Sequence, residues 1–149
     1  MAKAPQVPPE RGFTLIELLV VIVVIGVLTA VGMPQYYKII EKDKANEAVQ
    51  FFDLLSGAEQ RYIAKYTAPC TTAAGCPGFD LTIPTFHYFN TFTLSASGAS
   101  GWTASLRRTT APAVYGSYTM TATAAQNTTP VLTCSQANCT TDLLPTPLH

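Results

Sequence analysis

Between Phe13 and Met33 the chain carries a single charge, Glu17, and two other polar side chains, Thr14 and Thr29. About 20 apolar residues suffice to cross a bilayer as a helix. A helix that is apolar on every side has no place on the surface of a water-soluble domain. This run therefore dictates that the rest of the chain folds as a separate unit. Glu17 is its anomaly, because ionisable residues inside membrane segments are unfavourable and generally mark function. Leucine would serve a plain anchor better.

Residues 1–12 (MAKAPQVPPERG) hold Lys3, Arg11 and three prolines, and read as a leader rather than as structure. The rival reading is an ordinary signal peptide cut after Ala30-Val31-Gly32. The apolar stretch exceeds the usual span of about 7–15 residues for that purpose, and Glu17 would lie inside it. Counting charges does not orient the span. Lys3 and Arg11 precede it, but Lys38, Lys42 and Lys44 follow.

Gly12-Phe13-Thr14-Leu15-Ile16-Glu17 resembles the processing site of type IV pilins and the related type II secretion pseudopilins. The resemblance covers residues 11–37. It implies leader cleavage by a prepilin peptidase between Gly12 and Phe13, N-methylation of the new Phe13 amine, and a filament-assembly role for Glu17. Gly26 and Pro34 fall where the family's N-terminal helix usually carries glycine and proline. Pro34 cannot donate to the Ala30 carbonyl, and Gly26, Thr29 and Gly32 are weak helix formers. Residues 26–34 are thus expected to be the weak point of the helix, with Gly26, Gly32 and Pro34 its key positions.

After Pro34 the pattern becomes amphipathic. Ala45, Ala48, Phe52, Leu55, Tyr62 and Tyr66 recur at three- and four-residue steps, with Ala58 and Ile63 on the flank and Glu59 interrupting the stripe. Lys42, Asp43, Lys44, Glu47, Gln50, Asp53, Gln60, Arg61 and Lys65 fall mostly on the solvent side. One helix is expected to run from the apolar segment to about Tyr66. Strands are expected over residues 86–94, 102–107, 118–122 and 131–134, from alternation such as Trp102, Ala104, Leu106 against Thr103, Ser105, Arg107. In the first of these, Phe86, Tyr88, Phe92 and Leu94 are placed on the buried face and His87, Phe89, Thr91 and Thr93 on the polar one. The fold class is therefore α+β: a long N-terminal helix packed on an antiparallel sheet of three to four strands. The domain plan is a leader at 1–12, an apolar transmembrane and assembly helix at 13–33, and an amphipathic helix with a globular β domain at 34–149.

Cys70 and Cys76 form one close pair, Cys134 and Cys139 another. Neither has the spacing of a zinc ribbon or a thioredoxin site. In an oxidising compartment two local disulfides are expected, since short separation favours closure over long-range pairing; free structural thiols are the alternative. With the leader, this puts the N-terminus in the cytoplasm and the C-terminal domain outside.

Composition narrows the function classes. Only 12% of residues are charged and the net charge is zero, so nucleic-acid binding through bulk electrostatics is not indicated. Arg107-Arg108, the one adjacent basic pair, reads as a solvated strand or loop pair. No nucleophile motif, metalloprotease helix or phosphate loop is present. His87 reads as a surface or edge side chain, and Asp80 and Asp142 stand alone. Neither an enzyme nor a cofactor or metal site is expected. Asn127-Thr128-Thr129 and Asn138-Cys139-Thr140 match the N-glycosylation pattern, a short match that carries no site here.

The resemblance implies a structural subunit, a membrane-held single-pass precursor that becomes part of an extracellular pilus. Its implied partners are other pilin subunits in a homopolymer, the prepilin peptidase and an inner-membrane assembly platform. The alternatives are a pseudopilin of a type II secretion system, a minor pilin in DNA uptake or adhesion, and a signal-anchored envelope enzyme or binding module.

Overall fold

Helix α1 spans Leu15–Tyr66, 52 residues, in a computed structural model that describes residues 12–144. Residues 1–11, most of the expected leader, and the proline-containing tail from residue 145 onward lie outside the described residues. The Cα packing divides the chain into two compact units, one ending at Tyr36 and one beginning at Tyr37.

In the first unit, valine and isoleucine crowd residues 20–25 and 27, types that lower helix propensity in water. In hydrocarbon such a backbone would have no other way to satisfy its polar groups, which would favour the helix these residues form. In the second unit α1 is held by packing. Ala45, Ala48, Phe52, Leu55, Ala58, Glu59 and Ile63 are buried along the expected stripe, joined by Glu41, Phe51 and Ser56, whereas Tyr62 is half-buried and Tyr66, expected on the stripe, is exposed. The helix ends where Thr67 adopts a φ of 60° and donates its N–H to the Ile63 carbonyl at 2.8 Å. That left-handed stop is unfavourable for a β-branched residue.

The sheet consists of β1 (Thr91–Ala96), β2 (Trp102–Arg108), β3 (Tyr118–Ala124) and β4 (Val131–Cys134), antiparallel throughout and in the order β1-β2-β3-β4. Its register lines up the inner face: Leu94, Ala104, Ala122 and Leu132 form one row, and Phe92, Leu106, Met120 and Cys134 the next. These residues and the α1 stripe form one hydrophobic core. The β1–β2 turn requires glycine at 101, where a Cβ would sit 2.2 Å from the Ser97 carbonyl oxygen.

Two expectations need correction. The first strand begins at Thr91, not at Phe86. The Glu47 carboxylate accepts the backbone N–H groups of His87 at 2.6 Å and Tyr88 at 2.9 Å, and Arg108 Nη1 donates to the Tyr88 carbonyl at 2.9 Å. Side chains thus satisfy this backbone in place of a partner strand. Without strand alternation Phe89 turns inward, its ring 6.3 Å from that of Tyr118, while Tyr88 is exposed. No further element is expected after the strand at 131–134, yet the short helix α2 (Ala137–Asp142) follows β4. Thr140 and Thr141 each return a hydroxyl hydrogen bond to the carbonyl four residues back.

Candidate functional site

The N-terminal segment is built around Thr14. Its backbone N–H and hydroxyl donate to Glu17 Oε2 at 2.8 and 2.7 Å, and its Oγ1 accepts the Glu17 N–H at 3.4 Å. This is a reciprocal capping box, in which the N-cap threonine and the third helical residue satisfy each other's orphan donors. The carboxylate is therefore engaged within its own chain. Thr14-x-x-Glu17 before an apolar run is a readable signature of such a cap, though the lone charge of Glu17 is the more conspicuous feature of the run.

Gly12 and Phe13 precede the helix without regular structure, and the Phe13 side chain is 82% exposed. Every described residue from Gly12 to Tyr36 is exposed. An added Cβ at Gly26 or Gly32 would meet no atom within 4 Å. Thr29 returns its hydroxyl to the Ile25 carbonyl at 2.8 Å, and the helix continues through Pro34. The structure thus presents Gly12, Phe13, Glu17, Gly26, Gly32 and Pro34 on one uncovered segment.

The second unit holds a polar network inside its core. Glu41 is fully buried and receives Arg108 Nε, Arg108 Nη2 at 3.1 Å and the Tyr118 hydroxyl at 2.9 Å. Burial opposes the Arg108 charge, but Glu41 outweighs it and keeps the guanidinium's pKa above its ordinary value. Burial and then the Glu41 hydrogen bond push the Tyr118 phenol far above the tyrosine range. Arg108 is thus not the solvated side chain expected of a basic pair, whereas Arg107 is exposed. The period-two alternation of Trp102, Ala104 and Leu106, carried one step further, places Arg108 inward. Three- and four-residue steps carried back from Ala45 likewise reach Glu41.

Nearby, Lys38 pairs with Asp142 at 2.5 Å, and the Tyr115 hydroxyl donates to Asp142 at 3.2 Å. The Lys38 hydrogen bond, with its charge, holds the Asp142 carboxyl below its ordinary value. Arg61 binds Asp80 at 2.5 Å and does the same there. Asp80 and Asp142, expected to stand alone, are each paired. Cys70 is bonded to Cys76 and Cys134 to Cys139. Among the described residues no cluster of three or more histidine, cysteine, aspartate or glutamate side chains could hold a metal ion; His149 lies outside them.

The prokaryotic N-terminal methylation motif matches residues 8–33. The fimbrial protein EcpC of Eikenella corrodens is 34% identical over 93 residues, 62% of this chain and 59% of that protein. The type IV major pilin protein PilA of Myxococcus xanthus is 36% identical over 58 residues, 39% of this chain and 26% of that protein. Prepilin peptidase-dependent protein D of Escherichia coli is 46% identical over 43 residues, 29% of this chain and 30% of that protein. The chain thus spans 59% of the first relative's length and 26% and 30% of the other two. No solved structure matches it.

Proposed function

With the chain a member of the type IV pilin family, we propose that it is a structural subunit of an extracellular pilus, assembled through its N-terminal helix after removal of a leader ending at Gly12. The observation that carries this reading is the fully exposed apolar segment that begins with the Thr14–Glu17 cap. Such a surface is satisfied first by lipid and then by the same segment of other copies. The role is structural rather than catalytic.

Cleavage after Gly12 creates a cationic amine on Phe13, which methylation retains. A lone buried cation is costly, and so is the carboxylate of Glu17. In this reading the Phe13 amine of a neighbouring subunit draws Glu17 away from Thr14, so charge neutralisation sets the register between copies. The prepilin peptidase, other pilin subunits and an inner-membrane assembly platform are its partners, and the precursor resides in the membrane. Gly26, Gly32 and Pro34 supply the part of α1 that yields most easily to neighbouring packing.

Two variants test this. Gly12→Val should leave the full-length chain in the membrane, with no species beginning at Phe13 by intact mass. Glu17→Leu should still insert and still be cut, yet give few or no filaments in the sheared surface fraction relative to the membrane pool. Wild-type filament yield from Glu17→Leu would overturn the assembly role. A mature chain beginning elsewhere than Phe13 would overturn the processing site.

A further inference from the structure

Glu59 lies on the buried stripe of α1 and is wholly shielded from solvent. Its Oε2 accepts the Cys70 backbone N–H at 3.0 Å, and its Oε1 has no hydrogen-bond partner among the described residues. An ionised carboxylate offers roughly four acceptor positions, so one donor leaves it far from satisfied.

Among the described residues no counter-charge makes up the difference. On α1, Arg61 is committed to Asp80, the Lys65 ammonium lies over the Tyr66 ring at 5.0 Å, and Tyr62 packs on Tyr66 and Phe79. Residues 67–76 contain no charged side chain. Asp53 is exposed, and Glu47 takes the His87 and Tyr88 backbone. In the sheet Arg107 is exposed, while Arg108 and Tyr118 are engaged by Glu41. In α2, Asp142 is taken by Lys38 and Tyr115. The site therefore suits a neutral carboxylic acid. Burial raises the Glu59 pKa to about 7, against the opposing Cys70 N–H.

We propose that Glu59 is a proton-operated latch on the first cysteine loop: as a neutral acid it stays in the core and holds Cys70, and on ionising it leaves the core and undocks the loop. Cys70 is itself fully buried and closed to Cys76, so residues 70–76 move together. The chain enters the loop through Thr67, whose left-handed φ of 60° relaxes when the loop is freed.

The linkage has a definite sign. The folded pKa lies above the ordinary value of 4.5, so the contribution to docking is complete below pH 4.5 and is lost as pH rises through about 7. The test is hydrogen exchange read by mass spectrometry on the full chain in detergent micelles, corrected for the chemical pH dependence of exchange. Between pH 6 and pH 8 peptides covering residues 66–80 should lose protection about tenfold, while those from β3 should not change. Glu59→Gln should give a flat loop profile. Should that variant fail to fold, Glu59→Met, which cannot ionise, should give a flat profile at lower protection. A flat wild-type profile from pH 5.5 to 8.5, as buried water satisfying an ionised Glu59 would produce, overturns the proposal. So does an unchanged pH dependence in Glu59→Gln. Neither outcome depends on filament formation.

Discussion

Up to Tyr36, α1 turns valine, leucine and isoleucine outward on every side; beyond it, the same helix turns two carboxylates inward. Exposed apolar surface and buried polar groups are the informative exceptions in a folded protein, and this helix carries one kind in each unit. In the first unit the exception is a surface in need of a solvent other than water. In the second it is an interior in need of partners: Glu41 has three donors from Arg108 and Tyr118, and Glu59 has one. A glutamate therefore means something different in each, and the same substitution should have different consequences for stability.

The sharpest way to break this comparison is glutamate to leucine in both units. Glu41→Leu strands the Arg108 guanidinium in the core, and removing one partner of a buried pair costs roughly 3–5 kcal/mol. Urea unfolding followed by the fluorescence of buried Trp102 should show that loss. Adding Arg108→Met should recover most of it, because the uncompensated charge goes too. Glu17→Leu should leave the same midpoint unchanged. Equal losses from Glu17→Leu and Glu41→Leu would show that the two units do not fold as distinguished here.

Much of this was legible in the sequence for a physical reason. The apolar run, most of the helix stripe and the alternation of β2 and β3 follow from periodicity, which records which side chains face a core. What escaped periodicity was chosen by single side-chain contacts. Residues 86–90 look like a strand, but Glu47 and Arg108 take the hydrogen bonds that a neighbouring strand would have made. Arg108 was hidden by its chemistry, because a charge at the end of an inward-facing series is ordinarily solvated unless a partner waits inside. That partner, Glu41, lies 67 residues away. The Thr14–Glu17 cap is local and readable, yet a charge inside an apolar run points to a membrane role before it points to a helix cap.

A smaller effect separates the units through the disulfides, both of which belong to the second. Replacing Cys70 and Cys76 together with alanine releases a short loop, and the chain-entropy relation puts the loss at about 2 kcal/mol. The same urea titration should register it. Filament yield in the sheared fraction should fall only as far as the globular unit loses its folded population. A complete loss of filaments from a folded double variant would mean that the loop itself makes contacts between subunits.

The smallest expected effect lies at Lys38, close after the boundary between the units. Its ammonium meets Asp142 at 2.5 Å, but the two side chains are 44% and 24% exposed. Water and salt screen such a pair, and exposed pairs contribute about 0–1 kcal/mol. Asp142 also keeps the Tyr115 hydroxyl when Lys38 is gone. Lys38→Met should therefore lower stability at pH 6 by less than about 1 kcal/mol, and 0.5 M salt should shrink the difference further. The pH dependence is opposite in sign to that of Glu59. The Asp142 pKa is depressed below 3.8, so its contribution is present above that value and disappears as pH falls through the folded pKa. Wild type and Lys38→Met should converge in acid, whereas wild type and Glu59→Gln should diverge in base. A loss above about 2 kcal/mol from Lys38→Met would exceed what an exposed pair supplies, and would mean that this contact, rather than the Cys134–Cys139 bond and buried Leu143, holds α2 in place.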